Sequence, residues 1–379
     1  MKTVKELLQP MEAVLADIPG AIRAQKAQGK KIVGVFPIYA PEELVHAAGM
    51  FPVGCWGGQV TISQATALLP PFACPVMQGI TELSLTGGYD LLDGAILSSP
   101  CDTLKCLTQN FMRTCPGIKP IFCIYPQNNK LEGGVRYIYQ QLKEVAAQLE
   151  ELSGKPITDQ ALHDSIELYN DSRAAMMDLT ALLMEKPGAL TATERYTVMK
   201  SRWFMDKAEH AALVRELCAA LEAAPASGGA SRKVVLAGIM TEPAGFVQVL
   251  DELGFTVVAD ELAYESRQFR NPVPQDIDQF ARLALQWSNV EGCSVVYDPE
   301  GKRAAHILDL AQRAKADGIL YCQMKFCEEE EFDYPYVRGT LEAAGFPVLN
   351  VEIDPLSSSQ EQNRTRLQAF GEQLEISIQ

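Results

Sequence analysis

Twice along this chain the same punctuation marks out a short apolar strand, a helix led by proline, a glycine stop and a second apolar strand. The first copy is KKIVGVFPIYAPEELVHAAGMFPVGCWGG, with strands over 32–36 and 52–56, Pro41 and two glutamates opening the helix and Gly49 closing it. The second is KVVLAGIMTEPAGFVQVLDELGFTVVAD, with Pro243 and Gly254 in those places, and Lys233 precedes Pro243 by the same interval as Lys31 precedes Pro41. Strands that alternate with helices are joined by crossover connections. Both halves therefore point to doubly wound, mostly parallel sheets, an α/β protein of two related Rossmann-like lobes.

The remaining periodicity fills in this plan. The first half adds strands over 89–98 and 119–125; the second adds helices over 278–287, 303–316 and 360–374 and strands over 294–297, 318–326 and 347–353. One or two amphipathic helices precede Gly29. Between the halves, apolar residues fall at helical spacing over 135–152 and again over 158–184, and a capping box at Thr191 and Glu194 opens a third run toward Cys218 and Leu221. The small, polar AAPASGGASRK stretch, 223–233, marks a boundary. The expected organisation is an N-terminal lobe over 1–155, a helical connecting segment over 156–230 and a C-terminal lobe over 231–379.

Several functional classes fall away. The chain has 379 residues and a net charge of −15, which repels polyanions and releases no counterions, so nucleic acid and anionic membrane are poor partners. Its N-terminus mixes Lys, Glu and Asp into the apolar positions, unlike a secretory leader, and no stretch has the length of a membrane span. A cytoplasmic protein is expected, its ten cysteines reduced or bound to metal. Neither GxGxxG nor GxxxxGK[ST] occurs, no HExxH or paired zinc motif involves the four histidines, and no GxSxG elbow is present. His163 and His210 read as solvated helix positions, Ser98 and Ser99 as turn formers, and Glu328–Glu331 as a wet surface run.

The cysteines carry the chemistry. In PFACPVMQGITELSLTGGYDLLDGAILSSPCDTLKC, Cys101 stands where a strand ends and a helix begins, an edge at which helix N–H groups favour a thiolate and open α/β sheets bind ligands. Cys327 follows the strand at 318–326 in the same way. If both lobes turn their carboxyl edges to one cleft, Cys74, Cys101 and Cys327 can meet there, and three thiolates can hold an iron–sulfur cube with one iron left open. Without a CxxC pair the spacing is not diagnostic, since a buried cysteine is commonly a small apolar filler. That reading holds for Cys55, Cys123, Cys218, Cys293 and Cys322 and leaves Cys106 and Cys115 open.

Over about residues 29 to 355 the chain resembles the smaller, beta-type subunit of the 2-hydroxyacyl-CoA dehydratases. The likeness rests on the opening unit quoted above, FACPVMQ, CDTLKCLTQNF, YESRQFR, QWSNVEGCSVVYDP and MKFCEEEEFDYPYVR, and is strongest to subunits for isocaproyl, phenyllactyl and lactyl substrates. The resemblance implies a hydro-lyase subunit that binds a [4Fe-4S] cluster through Cys74, Cys101 and Cys327, with Glu328 departing from the aspartate usual after the last of them. It implies a heterodimer with a larger alpha-type subunit, an acyl-CoA substrate near the subunit interface and a transient ATP-dependent activator that injects one electron. Water then leaves through a ketyl radical to give a 2-enoyl-CoA, the beta-type cluster serving as relay or auxiliary centre. No catalytic acid, base or nucleophile is assigned to this chain. A flavin accompanies some relatives, and nothing in the residues supports or excludes one. The alternatives are a benzoyl-CoA reductase or double-cubane reductase subunit, against which Cys74 lacks an adjacent cysteine, and a cluster-free α/β scaffold.

Overall fold

The computed structural model describes residues 2–225, 232–276 and 278–378. Helices α1 (Val4–Ala16) and α2 (Ile18–Ala27) lead into β1 (Ile32–Val35), α3 (Glu42–Ala47), β2 (Phe51–Gly54), α4 (Pro75–Leu85), β3 (Gly94–Ser98), α5 (Asp102–Thr114) and β4 (Lys119–Cys123). Four helices follow: α6 (Glu132–Ser153), α7 (Asp159–Glu185), α8 (Ala192–Ser201) and α9 (Lys207–Ala223). The second series is β5 (Lys233–Gly238), α10 (Ala244–Glu252), β6 (Thr256–Leu262), α11 (Gln279–Ser288), α12 (Lys302–Arg313), β7 (Gly318–Met324), α13 (Glu328–Ala343), β8 (Val348–Ile353) and α14 (Glu361–Ile378).

Each series forms a four-stranded parallel sheet, and the two strand orders correspond: β2-β1-β3-β4 and β6-β5-β7-β8. Two Rossmann-like lobes are thus present, as the repeated punctuation indicates. In this order the chain winds outward one way through β2 and the other way through β3 and β4. A crevice opens beyond the carboxyl ends of β1 and β3, and another beyond β5 and β7, where such sheets take ligands. The strands are short apolar runs without alternation because helices cover both faces. At the end of β5 the backbones of β5 and β7 nearly touch: a Cβ on Gly238 (φ +137°) would lie 2.2 Å from the Cys322 carbonyl oxygen.

The inner faces of both sheets share one hydrophobic core, so the lobes do not have separate interiors. A second core gathers α1, α7, α8 and α9 around Leu8, Met11, Leu179, Val214 and Leu217. A third lies between β7 and the α12–α13 pair, around Ile307, Tyr321, Val337 and Leu341.

Helix boundaries follow the caps. Thr191 and Glu194 make both halves of their box, Thr158 caps α7 and Asp278 caps α11. Three expectations change. The strand expected over 89–98 begins only at Gly94, since residues 89–93 close turns through the Tyr89 and Gly87 carbonyls. Residues 294–297 form no strand: Val296 N–H turns back to the Cys293 carbonyl, and the Ser294 hydroxyl is held by Glu330. The third helical run breaks at 202–206, where Asp206 starts α9 by accepting the N–H groups of Ala208 and Glu209. The boundary expected in 223–233 falls largely outside the described residues.

Candidate metal centre

Three helices begin with a cysteine. Cys74 caps α4, Cys101 caps α5 and Cys327 caps α13. Cys101 and Cys327 hold corresponding places, each just beyond the third strand of its own parallel series. Because both switch-point crevices open toward the same space, all three thiols line one cavity, with Ile38 beyond β1 and Ile239 beyond β5 completing its floor. Trp56, Met77 and Leu104 add apolar wall. Phe326, next to Cys327, adopts a left-handed φ of +57° that L side chains seldom hold, and the strain turns the chain sharply from β7 into α13.

The electrostatics of the cavity pull two ways. Burial pushes the Cys74 thiol up, the backbone N–H groups of Met77 and Val76 pull it back, and Glu329 adds to the rise. Cys101 reaches about 12, through burial first and then Glu329, against the N–H groups of Leu104 and Thr103. Cys327 is raised by burial and by Glu330. The Glu329 carboxylate lies 3.6 Å from the Cys327 sulfur. As bare thiols all three are neutral at pH 7. Three helix N-termini nonetheless aim N–H donors at sulfur, an arrangement that favours thiolate once a cation is present to offset burial.

The donor set is rich in sulfur. Three soft thiol donors suit a thiolate-bound iron–sulfur group; no histidine lines the cavity, and its one carboxylate, Glu329, lies 3.6 Å from the Cys327 sulfur. Among the described residues no three His, Cys, Asp or Glu side chains are already drawn together around a single ion. A polynuclear cluster, by its own width, holds its ligand sulfurs farther apart than one ion would.

Supporting residues came from outside the cysteine pattern. Glu82 of α4 accepts N–H bonds from Ser63, Gln64 and Ala65 and the Ser63 hydroxyl, tying down the loop that approaches Cys74. Burial would raise its carboxyl, but these bonds hold it at about 2. The folded value lies below the ordinary value of about 4.3, so this stabilisation is complete above that pH and disappears as the pH falls toward 2. Glu82→Gln is expected to lower unfolding free energy by about 1–3 kcal/mol at pH 7 and to flatten its dependence between pH 4 and 2, measured by urea titration. Trp203, in the turn after α8, stacks on Tyr264 at 5.5 Å and meets Trp56 at 5.5 Å, linking the strand ends of the two lobes behind the cavity.

The other cysteines separate as their patterns suggest. Cys55, Cys123, Cys293 and Cys322 are buried and Cys218 half-buried; of the two left open, Cys115 is buried and Cys106 exposed. Two solvated readings need correction. His210 is fully buried, its Nε2 3.0 Å from the Val198 carbonyl oxygen, because α9 turns that face onto α8. In the acidic run Glu328 is exposed, whereas Glu330 is fully buried because Arg303 and Arg267 neutralise it. No helix among the described residues is long and apolar enough to cross a membrane.

The family described as 2-hydroxyglutaryl-CoA dehydratase, D-component, matches residues 37–374. The chain is 42% identical, over 91% of its length and 92% of the relative's, to the (R)-phenyllactyl-CoA dehydratase beta subunit of Clostridium sporogenes. It is 41% identical over 99% of its length to the lactoyl-CoA dehydratase subunit beta of Anaerotignum propionicum, all of which is covered. The (R)-2-hydroxyglutaryl-CoA dehydratase, subunit beta, of Acidaminococcus fermentans is 36% identical over 98% of the chain and is likewise covered throughout.

Proposed function

The chain belongs to the 2-hydroxyglutaryl-CoA dehydratase D-component family, and from that premise we infer that it is the beta subunit of a heteromeric hydro-lyase acting on a 2-hydroxyacyl-CoA. The reaction in this reading is loss of water from an (R)-2-hydroxyacyl-CoA to give the 2-enoyl-CoA. The observation that supports the chain's own part is the meeting of Cys74, Cys101 and Cys327 at three helix N-termini. Those residues would hold a [4Fe-4S] cluster, which when bound would supply an auxiliary centre or a one-electron relay between an ATP-hydrolysing activator and the substrate on a larger alpha-type subunit.

This chain's residues set the conditions for that relay. Helix N–H groups would stabilise the ligating sulfurs as thiolates, the apolar wall leaves them only partly open to water, and the nearby Glu329 carboxylate would favour a low reduction potential. The radical elimination is assigned to the larger subunit, and no acid, base or nucleophile is assigned here.

The experiment is an anaerobic assay of this polypeptide with and without the larger subunit, with activator, ATP and a panel of 2-hydroxyacyl-CoA thioesters. Turnover is expected only from the complete mixture. Turnover by this polypeptide alone, or undiminished turnover when it is omitted, would overturn the assignment.

A further inference from the structure

Four glutamates follow Cys327, and the first turn of α13 sends them in different directions. Glu328 and Glu331 are exposed, while Glu330 is buried against Arg267 and Arg303. Glu329 alone of the four lines the cysteine cavity, half-buried, with a carboxylate oxygen 3.6 Å from the Cys327 sulfur. Among the described residues no lysine, arginine or histidine forms a salt bridge with it. Lys325, the nearest cation in sequence, pairs instead with Asp354 at 3.2 Å.

This carboxylate loses its partner when the site is filled. Iron binding replaces the Cys327 thiol proton, which leaves to solvent, and so removes the hydrogen that Glu329 accepts. A carboxylate beside a thiolate then needs a cation, and three thiolates leave a cube with one iron unclaimed. The other lining groups are poorer candidates for that iron. The Trp56 indole N–H only donates, the Thr103 hydroxyl is neutral, and Met77 and Met324, each 1% exposed, offer neutral and weak thioether donors. Glu329 is the one anionic oxygen donor in the cavity wall, a ligand type that iron accepts, and its charge acts on Cys74 and Cys101 as well as Cys327.

Resting on the cluster assignment above, we propose that Glu329 is the fourth ligand, its carboxylate binding the iron that Cys74, Cys101 and Cys327 leave open. Its flexible side chain turns from the Cys327 sulfur to that iron once the thiol proton has gone. The chain thereby closes its own cluster. A cluster closed in this way has no iron free for a substrate oxygen, so it carries electrons and leaves the acyl-CoA to the larger subunit.

The test uses the full-length chain, loaded without oxygen with isotopically labelled iron and with sulfide, and reads its Mössbauer spectrum with cyanide as the probe ligand. The parent chain is expected to show three irons alike and one distinct, as one oxygen and three sulfur ligands require, with the distinct iron resisting cyanide. Glu329→Ala is expected to keep all four irons and to admit cyanide to the distinct one at a concentration at least about tenfold lower. Equal cyanide sensitivity in parent and variant would overturn the proposal and leave the three-cysteine cluster standing, whereas a parent chain without iron and sulfide would overturn both. Should Glu329→Ala lose its cluster, the parent chain decides. With carboxylate-labelled glutamate incorporated and the cluster reduced by one electron, electron–nuclear double resonance is expected to show a carbon coupling of the size a direct ligand gives, and its absence would overturn the assignment.

Discussion

Replacing Cys101 with serine is expected to leave the fold intact while removing the visible iron–sulfur absorbance and lowering turnover of the assembled enzyme by at least about a hundredfold. Ligand chemistry sets the size of the effect. Serine has nearly the same shape, so the N-terminal end of α5 and its apolar surroundings can persist, but its hard, weakly acidic oxygen is a poor substitute for thiolate on iron. Even partners one shell out from a metal are worth about 10–100-fold, which makes a direct ligand's loss larger. Cys74→Ser and Cys327→Ser should behave alike if, as proposed, the three sulfurs ligate one cluster. Cys106→Ser provides the control: it lies one turn farther along the same helix, is exposed, and should retain absorbance and activity. Absorbance and rate measured on anaerobically prepared variants, beside circular dichroism for the fold, separate lost ligation from lost structure.

The second large effect is expected at Arg303, the hub of a buried ionic network. Its side chain is 1% exposed and reaches Glu261 at 3.0 Å, Glu330 at 3.0 Å and Asp333 at 2.5 Å. Burial would raise the Glu261 carboxyl, but Arg267 and Arg303 hold it at about 2. Arg303→Met leaves buried carboxylates short of positive charge, and removal of one member from such a network costs about 3–5 kcal/mol. A denaturation midpoint close to that of the parent protein would contradict this. Adding Glu330→Gln should recover part of the loss, because it removes one of the stranded charges. Glu330 sits in the first turn of α13, three residues after Cys327, so the same variant should also loosen the cap that presents that sulfur.

The sequence made the frame of this site legible and left its supports obscure. Proline and glycine punctuation located β1, α3 and β2 and their counterparts β5, α10 and β6 because it acts within a few residues, where Pro41 and Pro243 are compatible with a helix start. A cysteine after an apolar strand marks a carboxyl edge for the same local reason, and Cys101 and Cys327 were found that way. That Cys74 joins them depends on how α4 packs against α5, so the residues alone offer it as a possible third member and the family resemblance singles it out. Glu330 could not be told from Glu328 by its neighbours, since its burial depends on Arg303, supplied by a different helix. Trp203 was missed because its partners, Trp56 and Tyr264, lie in different lobes. His210 was misread because α9 has apolar residues on more than one side, so spacing alone did not reveal which face packs inward.

Iron and acid-labile sulfide counted on the native chain, isolated without oxygen in complex with its larger subunit and corrected for that subunit's own content, decide whether Cys74, Cys101 and Cys327 hold a cluster. Four iron and four sulfide per copy of this chain, as a [4Fe-4S] unit requires, with both lost in Cys101→Ser, is the expected result. Zinc in place of iron, or a full iron and sulfide complement that survives loss of Cys74, Cys101 and Cys327 together, would contradict it.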